Sequence, residues 1–236
     1  MIKKNTVVVY WSPFSLPEWN NLVSMLWEAP KPVMQTLPKP AKDPYQSCRA
    51  AHNLFANTFV LTHPQDITAK FSDLQETNPQ SSDARFVIKS PSVVGAHTVT
   101  LETCSWIFFS EEDLEVTMYP PYMHKTVDQD YGYIPAGKFN IARWFRPLNL
   151  TYQLWNGITQ IKVKSGEPAM YINFDTDKKV ILKRFNLSDE LYRIGIECSE
   201  LKRSLPRMHL EMMYNAFTKS SRDKKTLKLI KNNLLD

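Results

Sequence analysis

Glycine is scarce in this chain, with 6 in 236 residues. Neither G-x-G-x-x-G nor G-x-x-x-x-G-K-S/T occurs, so the loops that bring a backbone close to a nucleotide phosphate are excluded. Cysteine is almost as rare. Cys48, Cys104 and Cys198 are far apart, odd in number and form no C-x-x-C pair. That excludes a disulfide framework and a zinc ribbon, and points to reduced thiols in a cytosol. No apolar run is long enough to cross a bilayer. The apolar part of residues 1–11 is too short for a secretory signal, and no small-residue cleavage site follows. It reads as a buried first strand, and the chain is expected to stay where it is made, neither secreted nor in a membrane.

What is present is apolar and aromatic: 43% hydrophobic residues, with 12 Phe, 10 Tyr and 6 Trp, enough for a sizeable core. The continuous apolar run Thr6–Trp11 predicts a central strand. Ser15 and Pro17 open a helix carrying Trp19, Leu22, Val23 and Leu26 on one face, and Pro30 ends it. Five prolines between Pro30 and Pro44 mark an extended loop. Short strands are expected at the end of Asn53–Leu61 and at Arg85–Lys89, His97–Phe109, Leu114–Tyr119, Phe139–Phe145, Ala169–Phe174 and Val180–Phe185. Leu150–Val163 reads as a β-hairpin about Asn156-Gly157, with Gln153 opposite Gln160 and with Leu150, Tyr152, Leu154, Ile161 and Val163 on the apolar face. Strands at this spacing suggest a sandwich or jelly roll.

The pattern changes after Asn186. Ser188 suits an N-cap, with Asp189 and Glu190 complementing the helix dipole. Leu191, Ile194, Cys198, Leu201 and Leu205 then recur at helical spacing. A last helix, capped by Ser220 or Ser221, repeats it with Leu227, Ile230 and Leu234. The expected fold is α+β. Residues 1–186 form a mainly antiparallel β-sandwich domain, jelly-roll-like, with one N-terminal helix and a Pro-rich loop. Residues 187–236 form a C-terminal helical appendage.

The net charge is +5, and the excess gathers at the end. Lys219, Arg222, Lys224, Lys225, Lys228 and Lys231 face one acid, Asp223, between Lys219 and Lys231. The bland reading is a solvated helix face. The sharper one is a partner-binding helix using Lys224, Lys225, Leu227, Lys228, Ile230, Lys231 and Leu234. So short a helix must dock by its apolar seam, on its own domain or on a partner. A protein partner is the expectation. Nucleic acid is the alternative, although the rest of the chain has no continuous basic stripe.

Catalytic constellations are weak. His97, Glu102 and His124 are the only trio in the right region for a metal site, and Glu102 lies an odd number of positions from His97, which on one strand puts them on opposite faces. Ile134-Pro135-Ala136-Gly137-Lys138-Phe139-Asn140 resembles part of a cupin second motif, with Asn140 where a ligand His would stand. Asparagine suits transition metals poorly. Cys48 and His52 could meet on a helix, and Asp175-x-Asp177 could hold a hard cation in a turn. Trp106, Trp144 and Trp155, with Tyr131, Tyr133 and Tyr152, could stack rings beside Arg143 and Arg146, though core packing explains most sandwich aromatics. No catalytic residue and no cofactor is implied.

Three stretches resemble small proteins of contractile-tailed phages, those of marine cyanobacteria among them. They are Tyr10-Trp11-Ser12-Pro13-Phe14, Tyr45-Gln46-Ser47-Cys48, and Asn57-Thr58-Phe59-Val60-Leu61 with Pro64-x-Asp66-Ile67. Glu115-Val116-Thr117-Met118-Tyr119-Pro120-Pro121, Phe139–Trp144 and Lys164-Ser165-Gly166-Glu167-Pro168 are similar to a wider bacterial and phage family of unknown function. In that family a strand ending in a proline pair and a later K-x-G-E-P turn recur. This chain has Cys48-Arg49 where Cys-Pro would be expected. The resemblance carries no established activity. It implies a phage-encoded, non-catalytic binding or structural protein, in the virion or the host cytoplasm. The competing expectation is a metal-dependent, cupin-like enzyme.

Overall fold

A computed structural model describes residues 5–15, 26–37, 48–70, 86–89, 98–126, 128–205 and 207–235. The expected helix after Ser15 and most of the Pro-rich loop lie outside them. The described strands are β1 (Thr6–Pro13), β2 (Lys31–Pro32), β3 (Thr58–Thr62), β4 (Ile67–Lys70), β5 (Phe86–Lys89), β6 (Thr98–Ser110), β7 (Glu115–Tyr119), β8 (Gly132–Tyr133), β9 (Gly137–Asn140), β10 (Pro147–Leu154), β11 (Gln160–Val163), β12 (Pro168–Phe174) and β13 (Lys179–Arg184). The described helices are α1 (Val33–Thr36), α2 (Arg49–Leu54), α3 (Asp128–Tyr131), α4 (Asp189–Ser204), α5 (Leu210–Lys219) and α6 (Arg222–Asn232). The fold is mixed α+β, mostly antiparallel, with three helices at its C-terminal end.

One sheet runs β13-β1-β6-β10-β8, with β5 also on β6. A second runs β2-β3-β12-β7-β9, and β11 pairs with β4 in a two-stranded sheet. β1 is central, as its apolar run implied, and most of its residues are buried. The sheets are mainly antiparallel, as expected, and one pair is parallel: β13 lies beside β1, Val7 opposite Val180. β6 is continuous, but its pairing with β10 jumps from Ser105 to Leu101. β9 stops at Asn140, well before Phe145.

The expected hairpin does not form. Gln153 lies opposite Thr98 on one side and Tyr133 on the other, while Gln160 lies opposite Lys70. Two causes are visible. A type I′ turn needs φ > 0 at both central residues. Only Gly157 has it, at +84°. The Trp155–Ile158 turn closes with Ile158 N–H on the Trp155 carbonyl at 3.3 Å. That pattern follows a type II turn, which splays flanking strands. Secondly, β8 occupies the edge of β10 that β11 would need. It fits because Gly132 has no side chain: a Cβ there would sit 2.2 Å from the Gln153 carbonyl oxygen. The face assignment survives the change of partner. Leu150, Tyr152, Leu154, Ile161 and Val163 are all buried.

The larger sheets meet through their aromatics. Phe108 of β6 packs edge-on against Phe174 of β12, ring centroids 5.8 Å apart. Ser188 caps α4, its hydroxyl accepting the Leu191 N–H at 3.4 Å. Leu191, Ile194 and Cys198 are buried as their spacing predicts, whereas Leu205 is exposed. Ser221 makes no side-chain cap. It takes a left-handed φ of 57° and turns α5 sharply into α6. Met213, Tyr214 and Phe217 of α5 and Ile230 of α6 share one core with the sheets. A bridge between Phe185 and Leu234 pins the end of the chain beside β13.

Two internal clasps hold distant segments together. Asn57 tolerates a left-handed φ of 54°, as asparagine does more readily than most residues. Its Nδ2 donates to the Thr176 and Lys178 carbonyls, both at 2.8 Å, and its Oδ1 accepts the Val180 N–H at 3.1 Å. The second clasp joins Lys164–Pro168 to His63–Asp66. Ser165 N–H donates to Asp66 Oδ1 and Gly166 N–H to the His63 carbonyl, each at 2.8 Å, while His63 N–H donates to the Glu167 carbonyl at 2.9 Å. Gly166 supplies the required φ of +80°.

Candidate functional site

The three candidate metal ligands are not brought together among the described residues. His97 falls outside them, and Glu102 is placed only by its backbone, in β6. His124 lies in the turn after β7, where its Nδ1 meets the Tyr171 hydroxyl at 2.5 Å. No group of three or more His, Cys, Asp or Glu suited to a metal ion occurs among the described residues.

His124 instead belongs to an aromatic cluster on the second sheet. Tyr171 is fully buried there and meets Phe55, Tyr119 and Tyr122, with ring centroids 5.6–6.2 Å apart. Burial pushes the Tyr171 and Tyr119 hydroxyls above their ordinary range, so both stay protonated at neutral pH. The Tyr171 hydroxyl and His124 Nδ1 share one hydrogen bond, which leaves Nε2 as the ring's other polar atom. That atom is sealed from solvent with no hydrogen-bond partner among the described residues. The Thr36 backbone carbonyl lies near enough to favour the charged ring without closing a bond of normal geometry. Burial outweighs it and holds His124 below its ordinary value.

A pH dependence follows. The unfolded chain takes up the histidine proton near pH 6.5, above the point where folded His124 does. Stability therefore falls as pH drops below about 6.5, and the loss continues down to the folded value. Melting temperatures between pH 7 and 5 should fall less steeply for His124→Gln than for the unmodified chain. Identical slopes would contradict this.

The other candidates serve the fold. Asn140 Oδ1 accepts the Ala142 and Arg143 N–H groups, both at 2.9 Å, and its Nδ2 donates to Asp113. The residue in the cupin-like ligand position is thus spent on a turn. Asp175 pairs with Lys138 at 2.8 Å, and Lys138 also reaches Glu115 at 2.6 Å. Cys48, the N-cap of α2, and His52, its fourth residue, are both exposed. Trp106, Trp144 and Tyr152 are core, while Tyr133 and Trp155 are half-exposed and lie 5.4 Å apart. Sequence reasoning missed a buried pair, His63 Nε2 and the Tyr152 hydroxyl, at 3.4 Å. The only local signal was His63-Pro64 at a strand end.

The basic segment is where sequence and structure meet. α6 is docked on its own chain, with Ile230 fully buried and Leu227 and Leu234 half-buried against the core. Lys225 pairs with Glu190 at 2.5 Å, Arg222 with Glu197 at 2.7 Å and Lys231 with Glu111 at 2.8 Å. Lys224 and Lys228, one helical turn apart, are exposed. Of the two docking modes expected for the apolar seam, its own domain or a partner, the seam uses the first. No helix among the described residues is long and apolar enough to cross a membrane.

No family model matches this chain, and neither does any curated protein or any solved structure.

Proposed function

We propose that this chain is a non-catalytic binding or structural protein encoded by a contractile-tailed phage, a virion component or a factor in the host cytoplasm. Its partner in this reading is a protein with an acidic face, and its site is the outer side of α6. The observation that carries the reading is the way α6 is held. Buried Ile230, with Leu227 and Leu234 half-buried beside it, fixes the helix to the core, so Lys224 and Lys228 project from a rigid base. Rigid presentation lowers the ordering cost of association.

Asn57 and Pro64-x-Asp66, from the phage-like stretches, and the Lys164–Pro168 turn, from the motif shared with the wider family, each close the fold. The Phe108–Phe174 contact supports reading the two larger sheets as layers of a jelly-roll-like sandwich. The cupin-like alternative is weaker, because Asn140 and His124 are both committed to internal hydrogen bonds.

The test is affinity capture of the tagged chain and of a K224E/K228E variant from cells that naturally express it, with mass spectrometry of purified particles alongside. One protein partner should be recovered with the unmodified chain and lost with the variant. Equal recovery would overturn the site. Nuclease-sensitive recovery that weakens steeply with salt would replace the protein with nucleic acid. Stoichiometric iron, manganese or zinc, lost in His124→Ala, would restore the enzyme reading.

A further inference from the structure

Two aromatic side chains stand out on the surface at one end of the first sheet. Trp155 is 49% exposed and Tyr133 is 38% exposed. The other described tryptophans, Trp11, Trp27, Trp106 and Trp144, are all buried. Tyr133 comes from the edge strand β8 and Trp155 from the turn after β10. Gln153 lies opposite Tyr133 across the β8–β10 pair. Leu150, Tyr152 and Leu154 are buried, so alternation puts Gln153 on the outer face. The two rings meet with centroids 5.4 Å apart and planes tilted by 43°.

Both rings are pinned. Trp155 Nε1 donates to the Gln129 carbonyl at 3.1 Å, and the Tyr133 hydroxyl donates to Gln153 Oε1 at 2.5 Å. The Trp155 backbone N–H donates to the Tyr131 carbonyl at 2.9 Å. With these polar edges bonded inside the chain, what each ring offers a ligand is its apolar surface. A ring already held in place loses little freedom on binding.

The surroundings choose between ligands. Over residues 129–134 and 153–160 the one charged residue is Asp130. Gln129, Asp130, Asn156 and Thr159 are exposed. Single-stranded nucleic acid stacks on aromatics too, but it needs a cationic groove for its phosphates. A protein partner of standard size covers about 800 Å², whereas the apolar surface here is an island of two rings among polar neighbours. A quaternary ammonium ion is held by an aromatic cage, and two rings on an open surface do not close one. A sugar ring matches on both counts. A pyranose with equatorial hydroxyls presents axial C–H bonds on one face, polarised to meet the negative face of an aromatic ring. Its rim of hydroxyls both donates and accepts, as side-chain amides also do.

We propose that Tyr133 and Trp155 form a saccharide-binding platform. It takes a pyranose ring with equatorial hydroxyls against the two aromatic rings, with Gln129, Asp130 and Asn156 serving the hydroxyls. The site is separate from the outer side of α6 and does not depend on the partner assigned there.

Titration calorimetry and saturation-transfer NMR of the full chain with cellotetraose and chitotetraose test it. Choline chloride and a short oligothymidine are the counter-probes. At least one tetrasaccharide should bind, and saturation should pass from the protein to its ring C–H protons. W155A and Y133A should each weaken binding roughly tenfold or abolish it, as removal of a central aromatic anchor does. Y133F keeps the ring and should retain most of the affinity. Melting curves establish that the variants fold, and should W155A fail to fold, Y133A decides on the same criterion. K224E/K228E should bind the sugar as the unmodified chain does, and a loss there would overturn the assignment to Tyr133 and Trp155. Binding of neither tetrasaccharide would overturn the proposal. So would binding unchanged in W155A, or binding confined to choline or the oligonucleotide.

Discussion

Replacing Ile230 with alanine is expected to destabilise the protein by about 2–5 kcal/mol, the usual range for emptying a sealed aliphatic site. Ile230 has no exposed surface and joins a core that also contains Phe185, Leu187 and Leu191. The competing claim is that ion pairs hold α6 down. Magnitudes decide against it. The side chains of its three pairs are 37–58% exposed, and exposed pairs contribute about 0–1 kcal/mol each. An isolated helix of 11 residues is marginal in water, so it needs the buried seam. For a chain of this size the loss should lower the melting temperature by roughly 10 °C. An unchanged midpoint would mean that α6 is not part of the cooperative unit.

Gly132→Val should have an effect of similar size for a different reason. Any Cβ at this position meets the backbone of Gln153 and Leu154 within 3 Å, and backbone cannot rotate away. β8 must then leave β10, exposing the Gln153 and Leu154 edge. A cost of about 3 kcal/mol or more is expected, at the upper end of overpacking effects. Gly195→Val, where the added carbon meets the Phe14 ring at 2.5 Å, provides the comparison. There the obstacle is a side chain, which can shift, so the loss should be smaller. Denaturant unfolding of both variants checks the order, and a milder Gly132 variant would contradict it.

These cases show what local sequence can and cannot convey. Alternation along Leu150–Leu154 and Ile161–Val163 assigned the buried face correctly, because the two-residue period of a strand does not depend on its partner. Pairing does depend on it. Asn156-Gly157 is a strong hairpin signal, yet the turn geometry differs and Gly132, over 20 positions upstream, fills the edge. The Ser188 cap was legible because its bond is made within one turn. The parallel β1–β13 pair was not, since about 170 residues separate the strands and neither carries a register mark. The α6 seam was legible as a docking surface, but a helical period alone cannot say whether the core beneath belongs to the same chain. Asn140 was singled out for the ligand it might have replaced, whereas its amide closes a turn.

The central claim is that the three C-terminal helices belong to the sheet core, which gives α6 its rigid basic face. Native-state hydrogen exchange tests it most directly, by comparing the Ile230 amide in α6 with the Ile172 amide in β12. Both should exchange only through global unfolding, with opening free energies agreeing within about 1 kcal/mol. An Ile230 amide that exchanges orders of magnitude faster than Ile172, by local opening of α6, would contradict the account.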